Sequence, residues 1–289
     1  LEQVDKYWSF KGEEDIWAIN IVKYPSMILS GQVGYFFQTT SQNYVIPTAC
    51  AAGNYSIGYS FDLIRRGIAD AIIAGGADPF SRITFSGFNC LYAMAPEKCQ
   101  PFDRNRKGMM LGEGAGVLIL EELELAKKRN APIYAEVLGY GLSCDANHMT
   151  APRAEGIVKV MERAIKNSGI RKEEVDYISA HGTGTLSNDK AECEAIKRVF
   201  EDSLEKICTS SIKSMLGHTM GAASAIEAIA CCLALKNNIV PPTINYEAMD
   251  EECDIDCVPN KAKTKNLEVV INNSFAFGGN NACLVVKKM

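Results

Sequence analysis

Apolar and polar positions along this chain fall into two kinds of block. Short apolar runs at 71–77, 114–121, 134–140, 175–181, 207–212, 268–272 and 283–286 have the length of buried strands. Between them the apolar residues recur at helical spacing. Ile157, Val160, Met161, Ala164 and Ile165 share one face of a helix predicted over 154–168 and ended by Gly169. Further helices are predicted over 54–66 (Ile57, Phe61 and Ile64 on one face), 122–129, 189–200 (capped by Ser187 or Asn188) and an Ala-rich 220–236. Val45 and Ile46 read as a buried strand running into Cys50, and 81–107 as a loop. Strands alternating with helices predict a layered α/β domain. Residues 1–44 do not fit: Tyr7, Trp8, Phe10, Trp17, Tyr24, Tyr35, Phe36 and Phe37 follow no steady period, so the segment reads as irregular.

The pattern also repeats. An apolar run, then Thr48-Ala-Cys50-Ala-Ala-Gly53, then a helix is echoed by an apolar run, then Leu216-Gly-His218-Thr-Met-Gly-Ala-Ala, then a helix. Two strand–helix units over 134–200 precede the second copy, and only the irregular segment precedes the first. The expectation is a pair of duplicated halves, 45–130 and 131–289, the first lacking its opening strands.

Composition narrows the class. With 47% hydrophobic and 22% charged residues in 289, the chain is expected to be globular, and no apolar run approaches the roughly 20 residues of a membrane span. A net charge of −5 offers no overall basic field for nucleic acid. The opening Leu1-Glu-Gln-Val lacks a signal-peptide layout and an initiator Met, so the sequence is expected to begin inside a longer protein. Eleven cysteines without a secretory signal are expected to be reduced thiols in the cytoplasm. Cys253 and Cys257 lack the paired spacing of a zinc site, and no metal is expected.

Candidate chemistry sits where strands end and helices begin. A thiol at Cys50 meets unpaired N–H groups and the positive end of a helix, which favour the thiolate; the alternative is a buried structural cysteine. His181 lies beside Gly182, Thr183, Gly184 and Thr185, which let backbone approach a ligand and supply hydroxyls; a hydrogen-bonded structural histidine is the alternative. His218 has similar surroundings, and His148 reads as structural. Gly112, Gly114 and Gly116 precede a strand, not a helix, which argues against a dinucleotide site.

The stretches TACAAG around Cys50, PFDRNRKGMMLGEGAG at 101–116, HGTGT at 181–185, KSMLGH at 213–218 and SFAFGGNN at 274–281 together resemble the β-ketoacyl-[acyl-carrier-protein] synthases, of the elongating type and the related polyketide ketosynthases. The resemblance runs from about residue 44 to the end, with the motifs in the family's order. It implies a thiolase-like fold, two similar βαβαβ halves in five α-β-α-β-α layers, the first N-terminally incomplete. It implies an acyltransferase that joins a Cys-bound acyl chain to malonyl-carrier protein by decarboxylative condensation. Cys50 would be the nucleophile, with His181 and His218 assisting decarboxylation and carbanion attack. Lys213 and Glu227 match a buried ion pair, Thr183 and Thr185 would hold the phosphopantetheine arm with help from Thr150, and Phe277 would serve as gate and oxyanion donor. No bound cofactor is implied, since the substrates ride on the phosphopantetheine of acyl carrier protein. The implied partners are that carrier, acyl and malonyl thioesters, and a second subunit in a homodimer or ketosynthase heterodimer. Three positions and one stretch depart from the family: Ala276 where Gly is usual, which should stiffen the loop, Asn280 for Thr, Tyr92 for a carrier-docking Arg, and the polyketide-like Leu-Ser-Asn188-Asp189. The alternatives are a non-catalytic partner subunit or inactive fragment, and a coenzyme-A thiolase, which would need a second cysteine in a setting that Cys283 lacks.

Overall fold

The computed structural model describes residues 26–289. The opening of the chain, with Tyr7, Trp8, Phe10, Trp17 and Tyr24, lies outside them.

The first described element is helix α1 (Met27–Phe37), in a stretch that reads as irregular. Its apolar residues surround the helix and Tyr35, Phe36 and Phe37 stay exposed, so no one-sided period marks it. The predicted strand at Val45 and Ile46 does not form: 42–48 have no ladder partner among the described residues. An apolar run reports burial propensity, whereas a strand also needs a neighbour. A tight 3-10 turn, Ala49–Ala51, then leads into α2 (Ala52–Arg65).

Strand β1 (Ala71–Asp78) pairs antiparallel with β2 (Gly114–Glu121), Ala71 opposite Glu121 and Asp78 opposite Gly114. Between them, where a loop was expected, lies α3 (Arg82–Cys90), capped by Ser81, whose hydroxyl accepts from the Thr84 N–H at 3.4 Å. None of its residues is buried, so again no apolar stripe betrays it. Next come α4 (Leu123–Lys128), β3 (Glu136–Cys144), α5 (Ala154–Ser168), β4 (Tyr177–Ser179) and α6 (Leu186–Phe200). Thr185 takes the N-cap position of α6, so Ser187 and Asn188 fall inside its first turn instead of capping it. The chain continues through β5 (Cys208–Ser210), α7 (Lys213–Leu216), α8 (Ala223–Asn237), the short pair β6 (Ile239–Val240) and β7 (Lys263–Thr264), β8 (Val269–Phe275) and β9 (Asn280–Lys287).

The main sheet has the order β3-β9-β8-β4-β5, with β8, β4 and β5 parallel and β9 antiparallel to both neighbours. Successive side chains leave a strand on opposite faces. Ile178, Ile271 and Val285 therefore pack under α5 and α6, against Ile157, Met161, Ile196 and Phe200. Tyr177, Val270 and Leu284 pack on the other face against α2 and α8, through Ile57, Ala228, Cys231 and Leu235. β1 and β2 close over those two helices with Ile72, Ala74, Leu118 and Leu120. This sandwiching explains why α8, taken with the 3-10 turn Met220–Ala222 before it, is long and apolar enough to resemble a membrane span. The layers run helix, sheet, helix, sheet. On the far face of β1–β2, Val117 and Ile119 are 53% and 72% exposed, and the described residues supply no further layer over them.

The echo seen in sequence is a backbone echo. Ala49 and Met220 both adopt left-handed φ, 50° and 49°, each as the first residue of a 3-10 turn that leads into a central helix. That register sets Cys50 against Gly221. At the crossing of α2 and α8 a Cβ on Gly53 would stand 2.3 Å from the Ala225 nitrogen, so the two helices meet backbone to backbone. Beside it the amides of Asn54 and Asn272 pair: Asn272 Nδ2 donates to Asn54 Oδ1 at 2.9 Å, and Asn54 Nδ2 to the Asn272 carbonyl at 3.0 Å.

Candidate active site

The strained turn at Ala49 and the start of α2 hold Cys50 by its backbone. Its carbonyl accepts from Ser274 Oγ at 2.8 Å and Ser224 Oγ at 3.1 Å, one hydroxyl from β8 and one from α8. Beyond the end of β4, the His181 and Gly182 N–H groups both donate to Glu192 on α6, each at 2.8 Å. His218 follows α7, its own N–H donating to the Met110 carbonyl at 2.7 Å. These three anchors bring Cys50 Sγ and the ligating nitrogens of His181 and His218 within 4.8 Å of one another, with the imidazole rings 5.4 Å apart and nearly perpendicular. All three residues are buried, at 7%, 3% and 2% exposure.

Which ring nitrogen carries hydrogen follows from the neighbours. An ammonium can only donate, and Lys213 Nζ lies 3.4 Å from His181 Nδ1. The Met220 N–H donates to His218 Nδ1 at 3.1 Å. Both Nδ1 atoms therefore accept, which leaves each neutral ring with its N–H at Nε2. Burial first, then the charge of Lys213, holds both imidazoles well below their ordinary pKa. The pair is thus two neutral N–H donors. A cation would need both Nε2 lone pairs free, and metal-bound histidines donate from the other nitrogen, the reverse of what Lys213 and Met220 impose.

Cys50 corrects the expectation of a standing thiolate. Burial pushes its thiol up to about 11, against the pull of Lys213 and of the Cys50 and Phe277 N–H groups that face the sulfur. The helix-terminus effect is real but smaller than desolvation. Lys213 and Glu227, each 2% exposed, form a buried ion pair, and burial raises the Glu227 carboxyl to about 7. Thr183 and Thr185 share a hydroxyl contact of 2.9 Å.

A cavity of about 290 Å³ runs from Cys50, His181 and His218 to the surface, lined by Thr183, Thr185, Thr150 and Phe277 among others. Phe277 stands at the tip of the β8–β9 turn, its ring 5.4 Å from Phe88 of α3. Ala276 is tied across that turn by its N–H to the Asn280 carbonyl at 2.9 Å. His148 and Tyr92 lie at the rim, exposed, Tyr92 to 93%. Ser224, Ser274, Phe88 and Glu192 escape the sequence reading. Glu192 left one signal: with Asp189 it puts carboxyls on the apolar face of α6, among Ala195, Ile196 and Val199. Asp189 accepts from the Phe102 and Gly184 N–H groups at 2.9 and 3.2 Å, so both acids fasten the loop that carries His181.

A thiol faced by two backbone N–H groups, with two neutral imidazoles beside it at the foot of a tunnel on a sheet–helix–sheet scaffold, is the arrangement that thioester condensation calls for. Known proteins agree. Residues 2–126 match the family model of the β-ketoacyl synthase N-terminal domain and residues 134–247 that of the C-terminal domain. The chain is 45% identical over 269 residues to 3-oxoacyl-[acyl-carrier-protein] synthase 2 of Coxiella burnetii, covering 90% of this chain and 65% of that protein. It is 45% identical over 245 residues to nodulation protein E of Rhizobium meliloti, covering 84% and 61%. Among solved structures, the ishigamide ketosynthase/chain length factor superposes with a TM-score of 0.96 at 44% identity, over 99% of this chain and 71% of that one. A type II polyketide ketosynthase in complex with its acyl-carrier protein, bound to the hexaketide, gives 0.92 at 34% identity, over 96% and 71%. The chain belongs to the β-ketoacyl synthase family, with its thiolase-like fold. It spans 61–65% of the length of these curated relatives.

Proposed function

We propose that this chain is a 3-oxoacyl-[acyl-carrier-protein] synthase-type acyltransferase, working in fatty-acid or polyketide synthesis. The observation that carries the reading is the convergence at the foot of a tunnel of one thiol and two neutral imidazoles, with a ligand atom of each residue within 4.8 Å of the others. In the first half-reaction Cys50 Sγ attacks the thioester carbonyl of an acyl chain on a carrier's phosphopantetheine. The new C–S bond forms, the old one breaks, and the Cys50 proton ends on the departing thiol. The oxyanion of that step faces the N–H groups of Cys50 and Phe277.

In the second half-reaction a malonyl thioester loses CO2, and the electron pair of the broken C–C bond moves onto the thioester oxygen. His181 and His218 donate to that oxygen, which is where neutral donors serve best. The enolate carbon then attacks the Cys50 acyl carbonyl, the C–S bond breaks, and one proton from solvent restores the thiol. The product is a 3-ketoacyl chain two carbons longer.

Lys213 and Glu227 set the His181 tautomer, Thr183 and Thr185 hold the pantetheine amides with help from Thr150, and the Phe277 turn gates the acyl channel. Residues 45–130 and 131–289 are the two halves, one bearing the nucleophile and the other the histidines. The expected partners are acyl carrier protein and a second synthase-type subunit, in the cytoplasm, where thiols such as these eleven unpaired cysteines stay reduced. Intact-mass measurement after incubation with an acyl-carrier thioester tests the reading. The wild type should gain one acyl group and Cys50→Ala none; an acylated Cys50→Ala protein would overturn it.

A further inference from the structure

The tunnel is almost uncharged along its length. Apart from the histidines, Lys107 is the single ionisable cation among its lining residues, and the lining has no carboxylate. This is unusual placement in a chain with net charge −5. Two other exposed lysines are neutralised: Lys98 pairs with Glu247 and Lys190 with Glu252. Among the described residues Lys107 has no ion pair and no side-chain hydrogen bond. Its position is fixed by the next residue, since the Gly108 N–H donates to the Gly184 carbonyl at 2.9 Å. That contact sets Lys107 beside the Thr183–Thr185 loop, at the exposed end of the tunnel whose buried end is Cys50.

We propose that Lys107 is the phosphate-recognition residue of the tunnel mouth, selecting thioesters of phosphopantetheine over thioesters of simpler thiols. The inference rests on the reading of Cys50 as the acyl acceptor. A thioester seated at buried Cys50 must thread the rest of its thiol outward, and the anionic group of a phosphopantetheine thioester is the phosphate at its far end. A malonyl carboxylate would lie at the other end, by the histidines, and a lysine at the rim is misplaced for it. An exposed ammonium contributes modest affinity by attraction to a phosphate, but in a lining with no competing charge it discriminates by charge alone. Two sources carry this phosphate, a carrier protein and coenzyme A, and the shared chemistry is what Lys107 reads.

The test uses the full chain and acyl thioesters of pantetheine, 4′-phosphopantetheine, coenzyme A and carrier protein, with Cys50 acylation followed by intact mass. Wild type should favour phosphopantetheine over pantetheine in kcat/KM, mainly through KM. Lys107→Gln should reduce that ratio about fivefold, and Lys107→Arg should retain it. A fall confined to the carrier thioester would assign Lys107 to the carrier's surface instead, and with equal loss on pantetheine and phosphopantetheine, or none, the proposal is overturned. If no donor acylates wild-type Cys50, the reading of the site itself fails; if all acylate without regard to phosphate, only the role of Lys107 does.

Discussion

Taking the Cys50 sulfur out of water disfavours its thiolate by more than one ammonium and two N–H groups restore, so the thiol is pushed up to about 11. In the proposed reaction the thiolate would therefore be made at the moment of transfer, when the leaving thiol can accept the proton. Alkylation by iodoacetamide should show this: the rate at Cys50 should climb with pH through about pH 8–10 without levelling, because the thiolate fraction is still rising there. A plateau near neutrality would mean a standing thiolate. The histidines are held the opposite way, neutral, by the same burial and by Lys213. Their ring resonances should stay unprotonated from about pH 8 down to pH 6, below the ordinary histidine value of about 6.5. Protonation of either ring near 6.5 would contradict the assignment of both as neutral donors.

Among the elements, the helices that present one apolar face were legible in sequence. Ile157, Val160, Met161 and Ala164 all face the core from α5, which runs from Ala154 to Ser168 as expected. The elements without such a face were not: α1 and α3 bury none of their residues. The approach to Cys50 failed for another reason, since pairing is a property of neighbours that Val45 and Ile46 cannot encode alone. Site residues followed the same division. Cys50, His181 and His218 stood out by motif, whereas Ser224 and Ser274 act only because α2, α8 and β8 converge on the Cys50 carbonyl. That convergence depends on Gly53. A methyl there would meet the Ala225 nitrogen at 2.3 Å and its Cβ at 2.8 Å, and backbone cannot swing aside as a side chain can. Gly53→Ala should therefore destabilise the fold by about 2–3 kcal/mol in denaturant titration and slow Cys50 acylation. Unchanged stability would show that the two helices do not rely on this close approach.

At the scale of the whole molecule, the repeated turn–helix unit differs between its two copies. Each supplies a left-handed residue, a tight turn and a central helix, but one copy carries Cys50 where the other carries Gly221. His181 and His218 reach the thiol from loops beside the five-stranded sheet, tied down by Glu192 and by the Met220 N–H. The thiol at the start of α2 and the two imidazoles thus come from separate elements that meet near the α2–α8 crossing, where Asn54 and Asn272 also pair. If the histidines act as N–H donors to a developing oxyanion, their loss should stop decarboxylation without stopping acyl transfer. The decisive measurement is CO2 release from malonyl-carrier protein by wild type, His181→Ala and His218→Ala, each checked for Cys50 acylation by intact mass. Each variant should release CO2 at least about 100-fold more slowly while still forming the acyl-enzyme; decarboxylation at the wild-type rate in either would contradict the assignment.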